Sequence, residues 1–349
     1  MAAELLAILQ DPLLLVVVAV ALVFDFYNGM NDAANAIATV VSTRALKPNQ
    51  AVLWGAFFNF IAIFIYGTAV ASAIGKGIVS PTSLGTPAEI PWVTLAALAG
   101  AIFWAALATH RGIPVSISHC LIGGLIGAAM AKAGVGGVLW SGGKVEATVL
   151  FIALSPLIGI AFGVALVALI ARICRNMSPG RTSSTFLRLQ LASSAFMGLS
   201  HGGNDAQKTA GIITFLLIGT GVIGPMDHIP FSILLLSYFI IALGTYLGGW
   251  KVIKTMGMRM TGLKPYQGFA AETGGALTLL GAALGGIPVS TTHTITGSII
   301  GSGIGAARRL SAVRWGVTRN IVWAWILTIP VSAAVAAGFL LVFRAAGLA

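Results

Sequence analysis

The feature that most constrains this chain is a series of apolar runs close to the length needed to cross a bilayer. A membrane-spanning helix needs about 20 predominantly apolar residues, and only 8% of the 349 residues here are charged. Soluble domains carry roughly 25% charged residues, so a soluble chain of this composition could not cover its surface with polar groups. The sequence therefore predicts an all-α, polytopic membrane protein. The apolar runs are Leu13–Phe26, Ala51–Ile74, Trp92–Thr109, Thr148–Ala171, Ser232–Trp250, Gly268–Leu284 and Asn320–Phe343.

The net charge of +11 does not indicate a nucleic-acid-binding protein. The basic residues stand at the ends of apolar runs, where they act as signals of membrane orientation. The first apolar run is not read as a secretory signal peptide, because its leader carries Glu4 and Asp11 and no basic residue. We expect no disulfide between the two cysteines, Cys120 and Cys174, and no nucleic-acid partner.

Two distinctive motifs occur twice, in the same order. The motif at residues 29–32, Gly-Met-Asn-Asp, recurs as Gly-Gly-Asn-Asp at residues 202–205, an offset of 173. The motif at residues 112–119, Gly-Ile-Pro-Val-Ser-Ile-Ser-His, recurs with changes at residues 286–293, an offset of 174. Internal repeats of this kind indicate duplicated structural units. We predict a first repeat at residues 1–171, a basic cytoplasmic linker at 172–189 and a second repeat at 190–349.

The distribution of basic residues predicts how the repeats cross the membrane. With the linker in the cytoplasm, 15 Lys and Arg residues fall on the inner side and 4 on the outer side, which agrees with the positive-inside rule. This count requires an odd number of crossings per repeat, so the second repeat is inverted and both termini lie outside. Inverted repeats are typical of secondary transporters. The prediction is a protein of about 10–12 transmembrane or re-entrant helices.

The Asn-Asp segments interrupt apolar stretches, and we predict a broken helix at each. Two acidic and two asparagine side chains within residues 25–32 do not suit a helix facing lipid. Gly29, Gly202 and Gly203 would let the backbone unwind near the membrane midplane. Freed carbonyls and the Asp and Asn oxygens could then hold a cation, while the next half-helix offers its N–H groups to an anion. Asn31 and Asn35 share one face of that helix.

The Pro-Val-Ser segments predict short helices that begin within the membrane. Proline suits the first turn of a helix, and both Pro114 and Pro288 precede hydroxyl residues. The glycines that follow would let neighbouring helices approach closely. Two helix starts lined with hydroxyls form a site for an oxyanion. The predicted anion-binding residues are Ser116, Ser118, Ser290, Thr291 and Thr292.

Several of these residues also have a purely structural interpretation. Ser and Thr in helices often bond back to their own helix. His119, His201 and His293 are interpreted as supporting or packing residues. Glu272 lies in an apolar run, where a carboxylate is by default a functional candidate. Lys208 could extend its ammonium towards the membrane surface and take no part in function.

These motifs resemble the inorganic phosphate transporter (PiT) family, short bacterial type. The resemblance covers nearly the whole chain, and the duplicated Asn-Asp signature is highly specific. It implies a cation-coupled phosphate symporter that is often a homodimer, with an ion- and anion-binding centre and anion contacts after Pro114 and Pro288. It also implies a functional role for Glu272. The centre would comprise Asn31, Asp32, Asn35, Asn204, Asp205 and Lys208, supported by Asp25, Asn28, His119, His201, Glu272 and His293.

The sequence departs from the sodium-coupled members of that family at two positions. Their Asn-Asp-x-x-Asn pattern is complete only in the first half here, because Asn35 corresponds to Lys208. Asn59 stands where some relatives have a glutamate. A fixed ammonium at Lys208 could replace one bound cation. Both changes resemble bacterial members of the family that are thought to use protons, and this resemblance implies proton coupling, with sodium as the alternative. If the cation is sodium, Asp32 and Asp205 are its predicted ligands.

We therefore expect a phosphate symporter of the cytoplasmic (inner) membrane that works by alternating access. Sulfate, a divalent metal or a metal–phosphate complex are the alternative substrates. An intramembrane hydrolase is disfavoured because no nucleophile-elbow or H-E-x-x-H pattern occurs, so we expect no enzymatic activity. The expected partners are phosphate, a coupling proton or Na⁺, membrane lipid, a second copy of the chain and a cytoplasmic regulatory protein. No other cofactor is expected.

Overall fold

The computed structural model describes residues 2–79, 84–141, 145–224, 229–285, 287 and 289–349. Within these residues the chain forms thirteen α-helices and no β-strand. The first half contains α1 (Ala2–Gln10), α2 (Pro12–Ser42), α3 (Pro48–Ile61), α4 (Ala69–Gly77), α5 (Ile90–Arg111), α6 (Ile117–Ala133) and α7 (Val145–Ile173). The second half contains α8 (Pro179–Gly219), α9 (Phe231–Leu247), α10 (Trp250–Lys254), α11 (Pro265–Leu284), α12 (Thr291–Ala307) and α13 (Trp315–Ala345).

Four of the described helices are long and apolar enough to cross a membrane: α2, α5, α7 and α13. Helix α9 and the segment Trp250–Arg259 are joined by a 63° bend, and together they would form a fifth span. The predicted run Ala51–Ile74 is not one helix. Within this run, α3 ends at Ile61, a 3₁₀ turn follows, and α4 begins at Ala69. The all-α membrane architecture is confirmed.

The two halves interlock through corresponding helices. Helix α6 packs on α13, and α12, which begins 174 residues after α6, packs on α7. Helices α2 and α8 run antiparallel, because Thr39 lies after Asp32 and Ser193 lies before Asp205, yet both contact Glu272. This arrangement agrees with inverted repeats, whose boundaries and orientation in the membrane stay predictions.

The predicted linker at residues 172–189 is mostly helical. Helix α7 ends at Ile173, and α8 begins at Pro179. Ser178 caps α8 by accepting a bond from the Arg181 N–H, and proline occupies the first helical position. Thr182 donates back to the Ser178 carbonyl oxygen at 3.1 Å. The hydroxyl residues of this segment therefore belong to the start of a helix.

The prediction of broken helices at the Asn-Asp segments is wrong. Helices α2 and α8 run without interruption through both motifs. The glycines serve close packing, since a Cβ at Gly29 would lie 2.2 Å from the Ile241 carbonyl oxygen. A Cβ at Gly202 would lie 2.3 Å from the Asn59 carbonyl oxygen. Neighbouring helices approach these glycines so closely that the polar side chains find partners without any unwinding of their own helix.

The prediction that helices start after the Pro-Val-Ser segments is confirmed. Helices α6 and α12 begin one residue after Ser116 and Ser290, which are their N-caps. Pro114 lies two residues before its cap, outside the first helical turn where it was predicted. Pro288 lies outside the described residues. Serine, whose side-chain oxygen can accept a bond from the helix, therefore starts each helix in place of proline.

Glycines hold each short helix against a long helix of the other half. A Cβ at Gly301 of α12 would lie 2.2 Å from the Ile160 carbonyl oxygen of α7. A Cβ at Gly127 of α6 would lie 2.1 Å from the Ala333 carbonyl oxygen of α13. The two glycines are 174 residues apart, so both halves use the same packing device. Small residues of this kind let membrane helices pack backbone to backbone.

This packing predicts that Gly301→Ala lowers stability. The added methyl group must displace the α7 backbone, and overpacking of this kind costs about 1–3 kcal/mol. We expect a lower midpoint of thermal unfolding for the detergent-purified protein. Gly338→Ala in α13 is the matched control, because a Cβ there meets nothing within 4 Å. Equal midpoints for the two variants would contradict the close approach of α12 and α7.

Candidate functional site

The middle of α2 and the middle of α8 meet the starting ends of α6 and α12 in the interior of the protein. Asp32 comes from α2, Asp205 from α8, Ser118 from α6 and Thr291 from α12. These four side chains are at most 3% exposed. We call this meeting point the centre, and its side chains are buried from solvent.

Two buried carboxylates share hydroxyl donors at the centre. The Thr291 hydroxyl lies 3.1 Å from Asp32 Oδ2 and 3.2 Å from Asp205 Oδ2. Thr292 donates to Asp32 Oδ1 at 3.1 Å. A hydroxyl carries one proton, so Thr291 serves only one carboxylate at a time. The two hydroxyls therefore cannot satisfy all four carboxylate oxygens by themselves.

Lys208 lies inside the centre and does not extend to the membrane surface. It is 1% exposed, and its ammonium contacts Asp205 Oδ1 and the Ser118 hydroxyl, both at 2.5 Å, and the Val289 carbonyl oxygen at 3.2 Å. The ammonium neutralises one of the two carboxylates. A buried pair of this kind is stable only with such additional hydrogen bonds.

Asn35 occupies the position in the first half that Lys208 occupies in the second. Its amide nitrogen lies 3.2 Å from both the Thr291 and Thr292 hydroxyl oxygens at the start of α12. Lys208 contacts Ser118 at the start of α6. The two contacts are related by the same repeat, which supports the correspondence drawn from the sequence.

Three amide oxygens around the centre have no hydrogen-bond partner among the described residues. They belong to Asn31, Asn35 and Asn204, each at most 1% exposed. The Asn31 amide nitrogen donates to the Thr109 hydroxyl at 2.9 Å, and that of Asn204 donates to the Ser200 carbonyl at 2.9 Å. Each amide thus keeps its nitrogen occupied and its oxygen unpaired, an arrangement suited to a cation.

His201 faces both carboxylates. Its Nε2 atom lies 3.4 Å from Asp205 Oδ2 and 3.8 Å from Asp32 Oδ2. One ligand atom from each of these three residues lies within 4.8 Å of the other two, close enough to bind a single cation. His201 thus belongs to the centre itself and is more than the packing residue expected from the sequence.

A chain of hydrogen bonds fixes which nitrogen of His201 faces the carboxylates. The Thr245 hydroxyl donates to the Ile241 carbonyl oxygen at 2.9 Å, so its oxygen accepts from the Asn59 amide nitrogen at 2.8 Å. The Asn59 oxygen is then left to accept from His201 Nδ1 at 3.0 Å. His201 therefore presents either a lone pair or a second proton at Nε2 to the carboxylates.

The other two histidines predicted as supporting residues pack against each other behind the helix starts. The rings of His119 and His293 are 4.9 Å apart between centroids, and His293 also stacks on Trp325 at 3.8 Å. Neither contacts Asp32 or Asp205 through a hydrogen bond. The side-chain oxygens of Ser116 and Ser290 accept hydrogen bonds that cap α6 and α12. Their hydroxyl protons stay free to donate to another group.

Glu272 lies in a separate buried cluster. Its carboxylate accepts hydrogen bonds from Thr39 and Ser193 and, at 3.1 Å, from Gln190. Glu272 is fully buried, and no basic side chain among the described residues forms an ion pair with it. Asp25, predicted as a supporting residue, interacts with the side chains of Thr209 and Asn28, the second of which was also predicted as a supporting residue.

Sequence reasoning missed the residues that hold the predicted ones in place. Thr109, Thr39, Gln190 and Ser193 are polar residues within or beside apolar runs. None of them belongs to a repeated motif, and their positions become meaningful only when the helices pack. Asn59 was noted only as a departure from relatives, and the structure shows its contact with His201.

The sequence pattern described as "Phosphate transporter family" matches this chain twice, at residues 28–181 and 175–336. A "Probable low-affinity inorganic phosphate transporter" of Rhizobium meliloti (strain 1021) is 50% identical over 331 residues, covering 95% of this chain and 96% of that one. A protein of the same description from Bacillus subtilis (strain 168) is 39% identical, covering 93% and 95% of the two chains.

A solved structure titled "The sodium-dependent phosphate transporter" shares the fold, with a TM-score of 0.83 and 28% identity. The match covers 96% of this chain and 99% of that chain. The double match of the family pattern parallels the two motif copies seen in the sequence. On these grounds the chain belongs to the phosphate transporter family.

Proposed function

We propose that this protein is a cation-coupled symporter of inorganic phosphate that works by alternating access in the cytoplasmic membrane. The chain is a multi-pass membrane protein of a transporter family, so the hydrolase alternative is rejected. The observation that carries the proposal is the pair of carboxylates, Asp32 and Asp205, buried against two helix starts. Helix starts attract anions, and the carboxylates attract cations.

Electrostatics explain why the cation and the anion would move together. Asp32 and Asp205 carry two negative charges, and Lys208 supplies one positive charge in contact with them. Two like charges 4 Å apart repel by about 4 kcal/mol at an effective dielectric of 20. Phosphate would add a further negative charge to this centre. It therefore binds well only when a cation has first occupied the space between the carboxylates.

The anion is assigned to the donors that face the centre. These are the N–H groups in the first turns of α6 and α12, together with Ser116, Ser118, Ser290, Thr291 and Thr292. Phosphate at neutral pH carries a hydroxyl group that sulfate lacks, and this hydroxyl can donate a hydrogen bond to a carboxylate. This difference supports phosphate as the substrate, in keeping with the names of the relatives.

We assign proton coupling to this chain, with Lys208 in the place of one bound cation. Lys208 already holds Asp205, as an alkali cation would. The structural neighbour is titled sodium-dependent, so the coupling ion is the point on which this chain would differ from it. The proposed orientation in the membrane follows from the distribution of Lys and Arg residues, with the central segment in the cytoplasm and both termini outside. A homodimer and a cytoplasmic regulatory protein complete the proposal.

Uptake of labelled phosphate into proteoliposomes tests the function directly. We expect uptake driven by an imposed proton gradient, little uptake under a sodium gradient alone, and no inhibition by excess unlabelled sulfate. Protein-free liposomes under the same gradients are the control. Absence of phosphate uptake under both gradients, with labelled sulfate entering, would overturn the substrate but keep the fold.

Asp32→Asn and Asp205→Asn are each expected to abolish coupled uptake. Removing one charge from a buried, hydrogen-bonded group of this kind costs about 2–5 kcal/mol, which corresponds to roughly 30-fold or more in affinity. Asp11→Asn is the matched control on α2, because Asp11 is exposed and asparagine also caps helices well. Both variants should elute as folded protein in size-exclusion chromatography. Retained uptake in either variant would remove its carboxylate from the mechanism.

Lys208→Asn tests the choice of coupling ion. This substitution completes the Asn-Asp-x-x-Asn pattern in the second half and removes the ammonium from Asp205. We expect uptake to lose its dependence on the proton gradient and to gain dependence on sodium. Uptake rates under both gradients would be measured beside the wild type. An unchanged rate with an unchanged ion requirement would exclude Lys208 from coupling.

A further inference from the structure

A cavity of about 440 Å³ lies where α7 and α12 end and α8 begins. Its volume falls within the roughly 300–1,000 Å³ that is typical of small-molecule sites. Two arginines line it, Arg172 from the last turn of α7 and Arg308 at the end of α12. We call it the arginine cavity, and its lining also includes Val167, Ile170, Cys174 and Tyr266.

No acidic side chain balances these two arginines. Among the described residues, neither Arg172 nor Arg308 forms an ion pair or a side-chain hydrogen bond. The stretches 147–204 and 273–349, which supply α12, most of α7 and the start of α8, contain no Asp or Glu. The acid of α11, Glu272, is fully buried and accepts hydrogen bonds elsewhere. The arginine cavity is therefore positively charged and attracts an anion.

The backbone at Arg308 is unfavourable for an arginine. Arg308 ends α12 with a φ of 53°, in the left-handed region that favours glycine. The corresponding position in the first half, 174 residues earlier, is Gly134, which ends α6 with a φ of 70°. Glycine is the usual residue at such a helix end. An arginine in a place where the other half has glycine indicates that its side chain is needed there.

A role in membrane orientation alone does not account for this arrangement. Basic residues near the ends of membrane helices act as orientation signals through their charge, and the adjacent Arg309 supplies the same charge. Arg309 has a negative φ of −153° and does not line the cavity. An orientation signal requires neither a left-handed residue nor two arginines at one cavity. The arrangement of Arg172 and Arg308 is specific to a ligand.

The groups around the cavity suit a phosphate group. A guanidinium presents paired N–H donors whose spacing matches two phosphate oxygens. The Tyr266 hydroxyl has no hydrogen-bond partner among the described residues and can donate one more bond. Arg172 and Arg308 are both exposed, so a ligand can reach them from outside the protein.

We propose that Arg172 and Arg308 bind a phosphate group in the arginine cavity, at a site separate from the centre. Helix α12 begins at the centre and ends at Arg308, and its 17 residues span about 25 Å along the axis. The two sites are therefore distinct. The proposal goes beyond the transport function and does not depend on it.

An anionic phospholipid headgroup and free inorganic phosphate both carry this group, and the wall of the cavity favours the lipid. Val167 and Ile170 belong to α7, and only 17% of the spanning window of α7 is buried inside the protein. Acyl chains can pack along this exposed apolar helix while the headgroup contacts the arginines at its end. Basic pockets between membrane helices bind anionic headgroups in this way.

Cys174 provides a direct readout of binding. It lines the cavity and is partly exposed, whereas the only other cysteine, Cys120, is buried. Modification of Cys174 by uncharged N-ethylmaleimide would be followed by mass spectrometry of the detergent-purified protein. Separate arms contain phosphatidylglycerol, phosphatidylcholine or inorganic phosphate. We expect phosphatidylglycerol to slow the modification several-fold relative to phosphatidylcholine, and slowing by inorganic phosphate instead would identify the free anion as the ligand.

Arg308→Gly tests the role of the arginine without straining the backbone, because glycine tolerates the positive φ at this position. We expect this variant to fold and to lose the protection by lipid. Arg309→Gly is the matched control, since it removes the same charge from the adjacent residue, and it should keep the protection. Equal protection of the wild type and Arg308→Gly would overturn the site, as would a wild-type rate that neither phosphatidylglycerol nor inorganic phosphate changes.

Thermal unfolding gives a second measurement that does not depend on the cysteine. A ligand that binds only the folded protein raises its unfolding midpoint. We expect phosphatidylglycerol to raise the midpoint of the wild type and of Arg309→Gly, and to have a smaller effect on Arg308→Gly and Arg172→Gln. Equal shifts in all four proteins would contradict binding by the two arginines. Neither measurement involves phosphate uptake, so failure of this site and failure of the proposed function are distinguishable.

Discussion

The structure depends on two carboxylates that should repel each other being held together away from water. Asp32 and Asp205 come from antiparallel helices and approach the same Thr291 hydroxyl. Such a pair persists only with hydroxyls and a counter-charge beside it, and Lys208 provides that charge. In the proposed mechanism, the remaining repulsion favours the binding of a cation between the two carboxylates. The packing of α2, α8, α6 and α12 holds this unfavourable charge pair in place.

The need for donors in the membrane interior explains why two helices begin there. A continuous helix uses its own N–H groups, whereas the first turn of a helix leaves them free. Helices α6 and α12 bring two such turns to the centre, and serine caps fix their starting points. Their glycines then seat them against α13 and α7. At Gly127 and Gly301 there is no room for a larger side chain. Direct backbone contact therefore fixes the position of the helix starts.

The sequence predicts the membrane class, the duplication and most residues of the centre, because each leaves a local pattern. Motif spacing made Asp32 and Asp205 equivalent and paired Asn35 with Lys208, and the family resemblance implied that they share one centre. The sequence-based prediction was wrong at Gly29 and Gly202, where we expected the helix to unwind. A glycine that relieves crowding and one that bends the chain look alike in sequence. The contacts of Asn59 with His201 and of Gln190 with Glu272 could not be predicted from the sequence. The role of a single amide in an apolar run depends on the helix that packs on it.

The departures from duplication are as informative as the duplication itself. Asn35 corresponds to Lys208, Asp25 corresponds to Gly198 at the same offset of 173, and Glu272 corresponds to Leu98 at the offset of 174. These three buried charged groups thus exist in one half only. In the proposed inverted arrangement, two identical halves would present the same electrostatic potential to both sides of the membrane. The single copies of Lys208, Asp25 and Glu272 remove that equivalence. In the proposed mechanism, the duplicated residues form the site that is exposed to the two sides in turn, while the unduplicated charges make the two halves electrostatically different.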